Sequence, residues 1–315
     1  LKGDPAHPGA GFTVQEAEFG FSAVVDPYFR GDVFLTIPNL SGLEVEEAMV
    51  TTTGLPWDLQ VKAGVFRSAF GRQNGQHLHV QDFTRRPLLN AAYLGTDGLK
   101  APGLQVSWLA PLPFFLQLDL EAFSVERPEA LDQPTTFGGG ARTDFTYAAE
   151  LKAFAPLTEA LSVSGGLSFA TGLTPGLTGR PELEGARSWL YGGDLMVKYK
   201  PPNQEGGYFA LTWTTEYLVR KLGRTLDGGL YSQVVVQVAR RWSLGVREDV
   251  LGLPASDLQP LTSRTALSVS FIASEFARLR AYVEREFTHG GPLPDSTGAY
   301  LVLEVSLGAH GAHAF

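Results

Sequence analysis

The side chains best placed to do chemistry lie in one stretch, residues 64–103, which reads GVFRSAFGRQNGQHLHVQDFTRRPLLNAAYLGTDGLKAPG. His77 and His79 stand two apart, so they project to one side where the backbone is extended. Asp82 offers a third donor. Two imidazoles and a carboxylate suit zinc, although a site needs three or four ligands in fitting geometry. The same stretch carries Arg67, Arg72, Arg85 and Arg86 and is the most basic part of an acidic chain. Three uses are open: a metal site, a ring of fixed positive charge that narrows a passage and draws anions, or hydrogen-bonding groups that pin the segment to its surroundings. Ser68, His77 and Asp82 also make up the residue types of a hydrolytic triad, but closeness in sequence is not geometry. No G-x-S-x-G elbow occurs, and Gly138-Gly139-Gly140 lacks the Lys-Ser/Thr of a phosphate loop. The expectation is therefore no enzyme, and no cofactor beyond the zinc alternative.

The surrounding composition narrows the class. The chain has 315 residues, 33 acidic against 25 basic, a formal charge of −8 and no cysteine. Thiolate sites and disulfides are excluded, and the acidic balance speaks against nucleic acid as a partner. Charged residues are 18% and hydrophobic ones 44%. The apolar residues never form the run of about 20 that a membrane helix needs.

They alternate instead. In residues 143–154 the odd positions are Phe145, Tyr147, Ala149, Leu151 and Ala153, against Asp144, Thr146, Glu150 and Lys152. The same period of two recurs at 12–25, 29–38, 43–53, 58–67, 102–110, 113–125, 160–172, 188–200, 208–220, 229–240, 242–250, 262–273, 275–287 and 298–308. Many of these strands are long enough to cross a bilayer at a tilt, which takes about 9–11 residues. Short turns alternate with longer loops at 68–101, 126–142, 173–187, 221–228, 251–261 and 288–297, an asymmetry outer-membrane barrels share. The expected fold is an all-β, transmembrane, antiparallel up-and-down β-barrel of about 14–16 strands. It is one domain over 12–315, after an extension at 1–11 and with a long loop at 68–101. An even strand number would require one more upward strand than residues 12–315 supply.

The alternation sends Glu16, Glu18, Asp119, Glu121, Glu150, Glu216 and Glu284 inward, together with Lys152, Arg278 and Arg280. Both signs belong in a polar lumen and not on the lipid face. A loop of over about thirty residues is uncommon and often functional. Folded inward, 68–101 would form a constriction from its four arginines and Lys62.

Several motifs then resemble a known family. Phe70-Gly71-Arg72-x-Asn74-x-x-His77-x-His79, Phe83, Arg86-Pro87 and Gly95-x-x-Gly98-Leu99 are similar to Gram-negative outer-membrane porin-like barrels, many of them labelled porin or zinc-regulated TonB-dependent outer-membrane receptor. Val25-Asp26-Pro27-Tyr28-Phe29, Val45-Glu46-Glu47-Ala48 and Val106-Ser107-Trp108-Leu109-Ala110-Pro111 match as well. Gly64-x-Phe66-Arg67-x-x-Phe70-Gly71 is distantly similar to phosphate-selective porins. The terminal Phe315 resembles the last-strand signal that the barrel-assembly machinery reads. The resemblance implies a bacterial outer-membrane location, lipid and lipopolysaccharide around the barrel, a possible homo-oligomer, and passage of small hydrophilic solutes, anions among them. The alternative is a plugged or ligand- or metal-binding receptor barrel. With about fifteen strands from residue 12 onward, no stretch is left for a receptor's separate plug domain.

Overall fold

The computed structural model describes residues 11–126, 135–176, 180–202, 208–289 and 295–307. The expected Phe315 signal, and nearly all of the 1–11 extension, lie outside these residues. The described chain is a single antiparallel sheet in which each strand pairs with the next. Its strands are β1 (Glu16–Asp26), β2 (Phe29–Pro38), β3 (Glu44–Thr52), β4 (Leu59–Arg67), β5 (Lys100–Leu109), β6 (Phe115–Phe123), β7 (Thr146–Pro156) and β8 (Leu161–Leu173). They continue with β9 (Arg187–Tyr199), β10 (Ala210–Leu222), β11 (Thr225–Ala239), β12 (Trp242–Leu251), β13 (Thr262–Ser274), β14 (Ala277–Thr288) and β15 (Ser296–Val305). One short helix, α1 (Leu88–Leu94), lies in the loop after β4.

The sheet curls into an up-and-down barrel. A single loop residue shows this directly: the His79 ring faces Glu16 and Glu18 on β1, while its carbonyl accepts from Arg278 on β14. Among the described residues no ladder joins β1 to β15. Fifteen alternating strands leave these two running the same way, so they cannot pair antiparallel with each other.

One rim has mostly short turns. Pro27-Tyr28 is held by the Asp26 carboxylate, which accepts from the Tyr28 and Phe29 N–H groups at 2.7 and 2.8 Å, the usual device of an Asx turn. The opposite rim carries the long loop 68–99. There the expected loop at 221–228 is instead a hairpin: β10 runs to Leu222 and β11 starts at Thr225. Gly223 supplies φ 59° in the turn. The charges that look like loop composition, Arg220 and Asp227, face each other across the ladder and make two bonds, of 3.0 and 2.9 Å.

Alternation fixes the two faces. Along β13 buried Arg264, Ala266, Ser268 and Ser270 alternate with exposed Thr265, Leu267 and Val269. Leu120, Leu151, Leu167, Val246, Leu267, Val283 and Leu301 make an outward aliphatic band. Trp108, Phe154, Tyr199 and Trp242 lie outward toward the short-turn rim, and Tyr147, Trp189 and Tyr191 toward the other. Aromatic girdles bounding an apolar band are what two membrane interfaces select. Leu267, mid-strand and facing lipid, is therefore a sensitive position. Leu267→Arg should cost about 2–4 kcal/mol in urea unfolding from lipid vesicles, and a cost near zero would show that this face is not in the bilayer.

Candidate functional site

The loop 68–99 leaves β4, turns inward and runs through the lumen before β5. A peptide packed away from bulk water must find partners for its N–H and C=O groups. Here the wall supplies them as charged side chains. The Ala69 N–H donates to Glu121 Oε1 on β6 at 2.9 Å, and the Ser68 hydroxyl donates to the same carboxylate. The Gly71 N–H reaches Glu150 Oε2 on β7 at 2.6 Å and Ser168 Oγ on β8 at 3.0 Å. The Leu88 N–H points to Asp249 Oδ1 on β12 at 3.3 Å. The loop's carbonyls meet arginines. Arg247 donates to the Arg85 carbonyl at 3.0 Å, Arg264 to that of Arg86 at 2.6 Å and Arg280 to that of Gln81 at 2.6 Å. Carboxylates on β6, β7 and β12 thus take the loop's donors, and arginines on β12, β13 and β14 take its acceptors.

Apolar packing completes the anchorage. Phe70, Leu89, Tyr93 and Leu94 bury against Leu190, Leu218, Tyr231 and Leu251 of the wall. Phe83 lies edge-on to Tyr282, with the Arg247 guanidinium 4.6 Å from its ring centre. Gly71 has φ 67°, which favours glycine, and a Cβ there would push the Glu216 carboxylate aside. Asn74 ties the two limbs of the loop together. Its Nδ2 donates to the Ser68 and Leu99 carbonyls at 2.8 and 3.0 Å, and its Oδ1 accepts from the Leu99 N–H at 2.7 Å.

The loop arginines are pins in this arrangement. Arg67 pairs with Glu46 and donates to the Asp97 carbonyl. Arg72 bonds Asp194 and Ser164, each at 2.8 Å. Arg86 bonds the carbonyls of Gln73 and Gln76. Arg85 pairs with Glu284 but keeps 48% of its side chain exposed. The expected row of cations facing a passage is thus largely spent on the loop's own attachment. Lys62 sits on β4 with its ammonium 5.1 Å from the Phe66 ring centre. Lys152 Nζ lies 3.7 Å from Glu150 and 3.4 Å from the Ala69 carbonyl. Arg278 holds Glu304, Gln117 donates to Asp119, and Glu216 is almost fully buried.

The hydrolytic set does not assemble. Ser68 serves Glu121, the His77 ring faces Glu18 and Glu47, and Asp82 lies near Arg280 and Arg278. Burial pushes the Asp82 carboxyl up, against the pull of those two arginines. Asp82 is thereby also removed from the expected metal set, in which Glu18 takes its place beside the histidines.

The histidines lie in a nest of glutamates. His77 Nδ1 is 3.1 Å from Glu18 Oε2 and its Nε2 is 2.8 Å from Glu47 Oε2. His79 Nδ1 is 3.4 Å from Glu18 Oε2 and 3.9 Å from Glu16 Oε1. Two successive glutamates face inward because β3 bulges. Phe34 pairs with Glu47 and Leu35 with Val45, which leaves Glu46 as the extra residue. Burial alone would lower both imidazoles. The bonds to Glu18 and Glu47 outweigh it and lift His77 to about 9, and those to Glu16 and Glu18 lift His79 to about 9.

No family model matches the chain. A relative from Aquifex aeolicus, itself described as an uncharacterised protein, is 33% identical and is aligned over 97% of this chain and 70% of its own length. Among solved structures, Pseudomonas putida OprB superposes with a TM-score of 0.60 at 12% identity, covering 92% of this chain and 87% of that one. A loop-deletion variant of OmpT, an outer-membrane protein of Vibrio cholerae, gives 0.58 at 13% identity over 91% and 88%. An anion-selective porin from Comamonas acidovorans gives 0.56 at 12% identity over 92% and 84%. The chain belongs to one family with the Aquifex aeolicus protein, and it shares the β-barrel fold of these outer-membrane proteins. In this barrel the inward loop lies in the lumen, bonded to the wall, and the aliphatic band faces outward.

Two outcomes test the anchorage. Asp249 is buried between Arg247 and Arg264, 3.0 Å from each. Asp249→Ala leaves two buried guanidinium groups uncompensated, at a cost of about 3–5 kcal/mol, and should open the 83–94 segment to limited proteolysis. The second concerns pH. The raised histidine values mean that their contribution is fully present below about 6.5 and is lost as pH rises through about 9. The groups facing them are Glu16 and Glu18 from β1 and Glu46 and Glu47 from β3, with Arg67 and Arg86 beyond. The ring resonances of His77 and His79 should titrate near pH 9 in histidine-labelled protein, and Glu18→Gln should lower both.

Proposed function

We propose that the protein is a passive outer-membrane channel for small hydrophilic solutes, with loop 68–99 as its constriction. One observation carries this reading: the loop enters the lumen of a porin-like barrel and is bonded to wall strands from β6 round to β14 and to β1 and β3. Passage is then limited to the space the loop leaves, and selection by size needs no bond making or breaking. Charge adds less than the loop's composition suggests, because Arg67, Arg72 and Arg85 each face a carboxylate. Arg85, half exposed, is the loop residue best placed to give a modest preference for anions. Lipopolysaccharide on the outward band, the assembly machinery at the final strand and a homo-oligomeric state belong to this same reading.

A second reading is favoured by the apolar cluster of Phe70, Leu89, Tyr93 and Leu94, which packs against β9 to β12 as a core would. In this reading the barrel is occluded at rest and serves as a ligand-binding receptor.

Planar-bilayer recording separates the two. A constricted channel should give stepwise conductance that rises severalfold when residues 73–92 are deleted. It should show a reversal potential close to zero, shifted further toward zero by Arg85→Gln. An occluded barrel would be silent as wild type and conduct only after the deletion. Equal conductance with and without the loop would overturn the role assigned to it.

A further inference from the structure

The nest around His77 and His79 does more than anchor the loop. We propose that Glu18, His77 and His79 form a binding site for one divalent first-row metal ion of the zinc class, bridging the loop to β1. The argument is geometric. One donor atom from each residue lies within 4.8 Å of the others. Glu18 Oε2 is shared, 3.1 Å from His77 Nδ1 and 3.4 Å from His79 Nδ1. Ligands at about 2.0–2.1 Å from a tetrahedral zinc ion stand about 3.4 Å apart, so the two separations to Glu18 are already those of a coordination shell, and the third pair lies within 4.8 Å.

The surroundings fit as well. A metal-bound histidine almost always gives its other ring N–H to a carboxylate, which fixes the ring. With Nδ1 on the metal, His77 Nε2 donates to Glu47 Oε2 at 2.8 Å. Glu46 and Glu16 lie 3.7 and 3.9 Å from the two Nδ1 atoms and balance the ion's charge. Two imidazoles and a carboxylate with a fourth position for water form a set that zinc accepts. Imidazole and carboxylate donors select first-row ions of this kind over soft, thiolate-seeking ones. The main chain makes the site possible: His77 lies at the start of a short 3₁₀ turn, Leu78–Val80, that brings His79 round beside it with ring centres 5.6 Å apart.

The test uses the full-length protein, stripped with chelator, in detergent. Titration calorimetry with zinc chloride should show one ion per chain. His79→Ala and Glu18→Gln should each weaken binding at least about tenfold, and Glu47→Gln about tenfold through the lost ring partner. His289→Ala should leave binding unchanged. Folding of each variant is checked by heat-modifiable migration. X-ray absorption on zinc-loaded wild type requires no variant, and it should show two imidazole shells with oxygen completing the set. The proposal is overturned if wild type binds no stoichiometric ion, if the His77→Ala/His79→Ala double variant binds as wild type does, or if the absorption spectrum lacks imidazole scattering.

Discussion

The inside of this barrel depends on one kind of contact, the bond between an irregular peptide and a charged side chain of the wall. The strands satisfy one another through their ladders, so they would form with or without a loop inside. The loop has no ladder. Its donors meet Glu121, Glu150 and Asp249, and its acceptors meet Arg247, Arg264, Arg278 and Arg280. Bonds to ionised partners are about twice as strong as neutral ones, and those of Gly71, Arg264 and Arg280 are buried here. A buried group that loses its partner costs far more than the pair contributes. The network therefore behaves as a unit, and the loop stays in place because leaving would strand charges on both sides.

That dependence explains residues that look redundant one at a time. Asp249 joins two arginines and a loop amide. Gly71 exists to let the chain pass the Glu216 carboxylate. The bulge at Glu46 turns two successive glutamates inward, and without it one of them would face lipid. The nest that holds His77 and His79 is built from that bulge and from Glu16 and Glu18 on β1. The same carboxylates that secure the loop thus also create its strongest ligand field.

The strands were legible because a barrel wall writes its two solvents into alternate residues. Lipid on one side and polar lumen on the other give the period of two in β7, β9, β10 and β14, and no tertiary detail is needed to see it. The interior was legible only as composition. Arginines and glutamates could be assigned to the lumen, but their partners lie far away in sequence, as Gly71 and Glu150 or Arg85 and Glu284 do. Period alone cannot carry that information. Asp82 is near the histidines in sequence and faces arginines in space, whereas Glu18, sixty residues away by rough count, completes the histidine cluster. The hairpin at 223–224 was hidden because Arg220 and Asp227 resemble a solvated loop until the register sets them opposite each other. Asn74, which closes the loop's two limbs, carries no reactive chemistry and stood out only through its place in the family motif.

The central claim is that loop 68–99 is a fixed part of the barrel interior. Hydrogen–deuterium exchange of the protein in lipid nanodiscs tests it most directly, because exchange over minutes to hours reports opening of exactly such bonds. The amides of Ala69, Gly71, Leu88 and Leu99 should be protected to the level of the β7 and β12 ladders. Exchange of those amides as fast as in the exposed loop 252–261 would contradict the account.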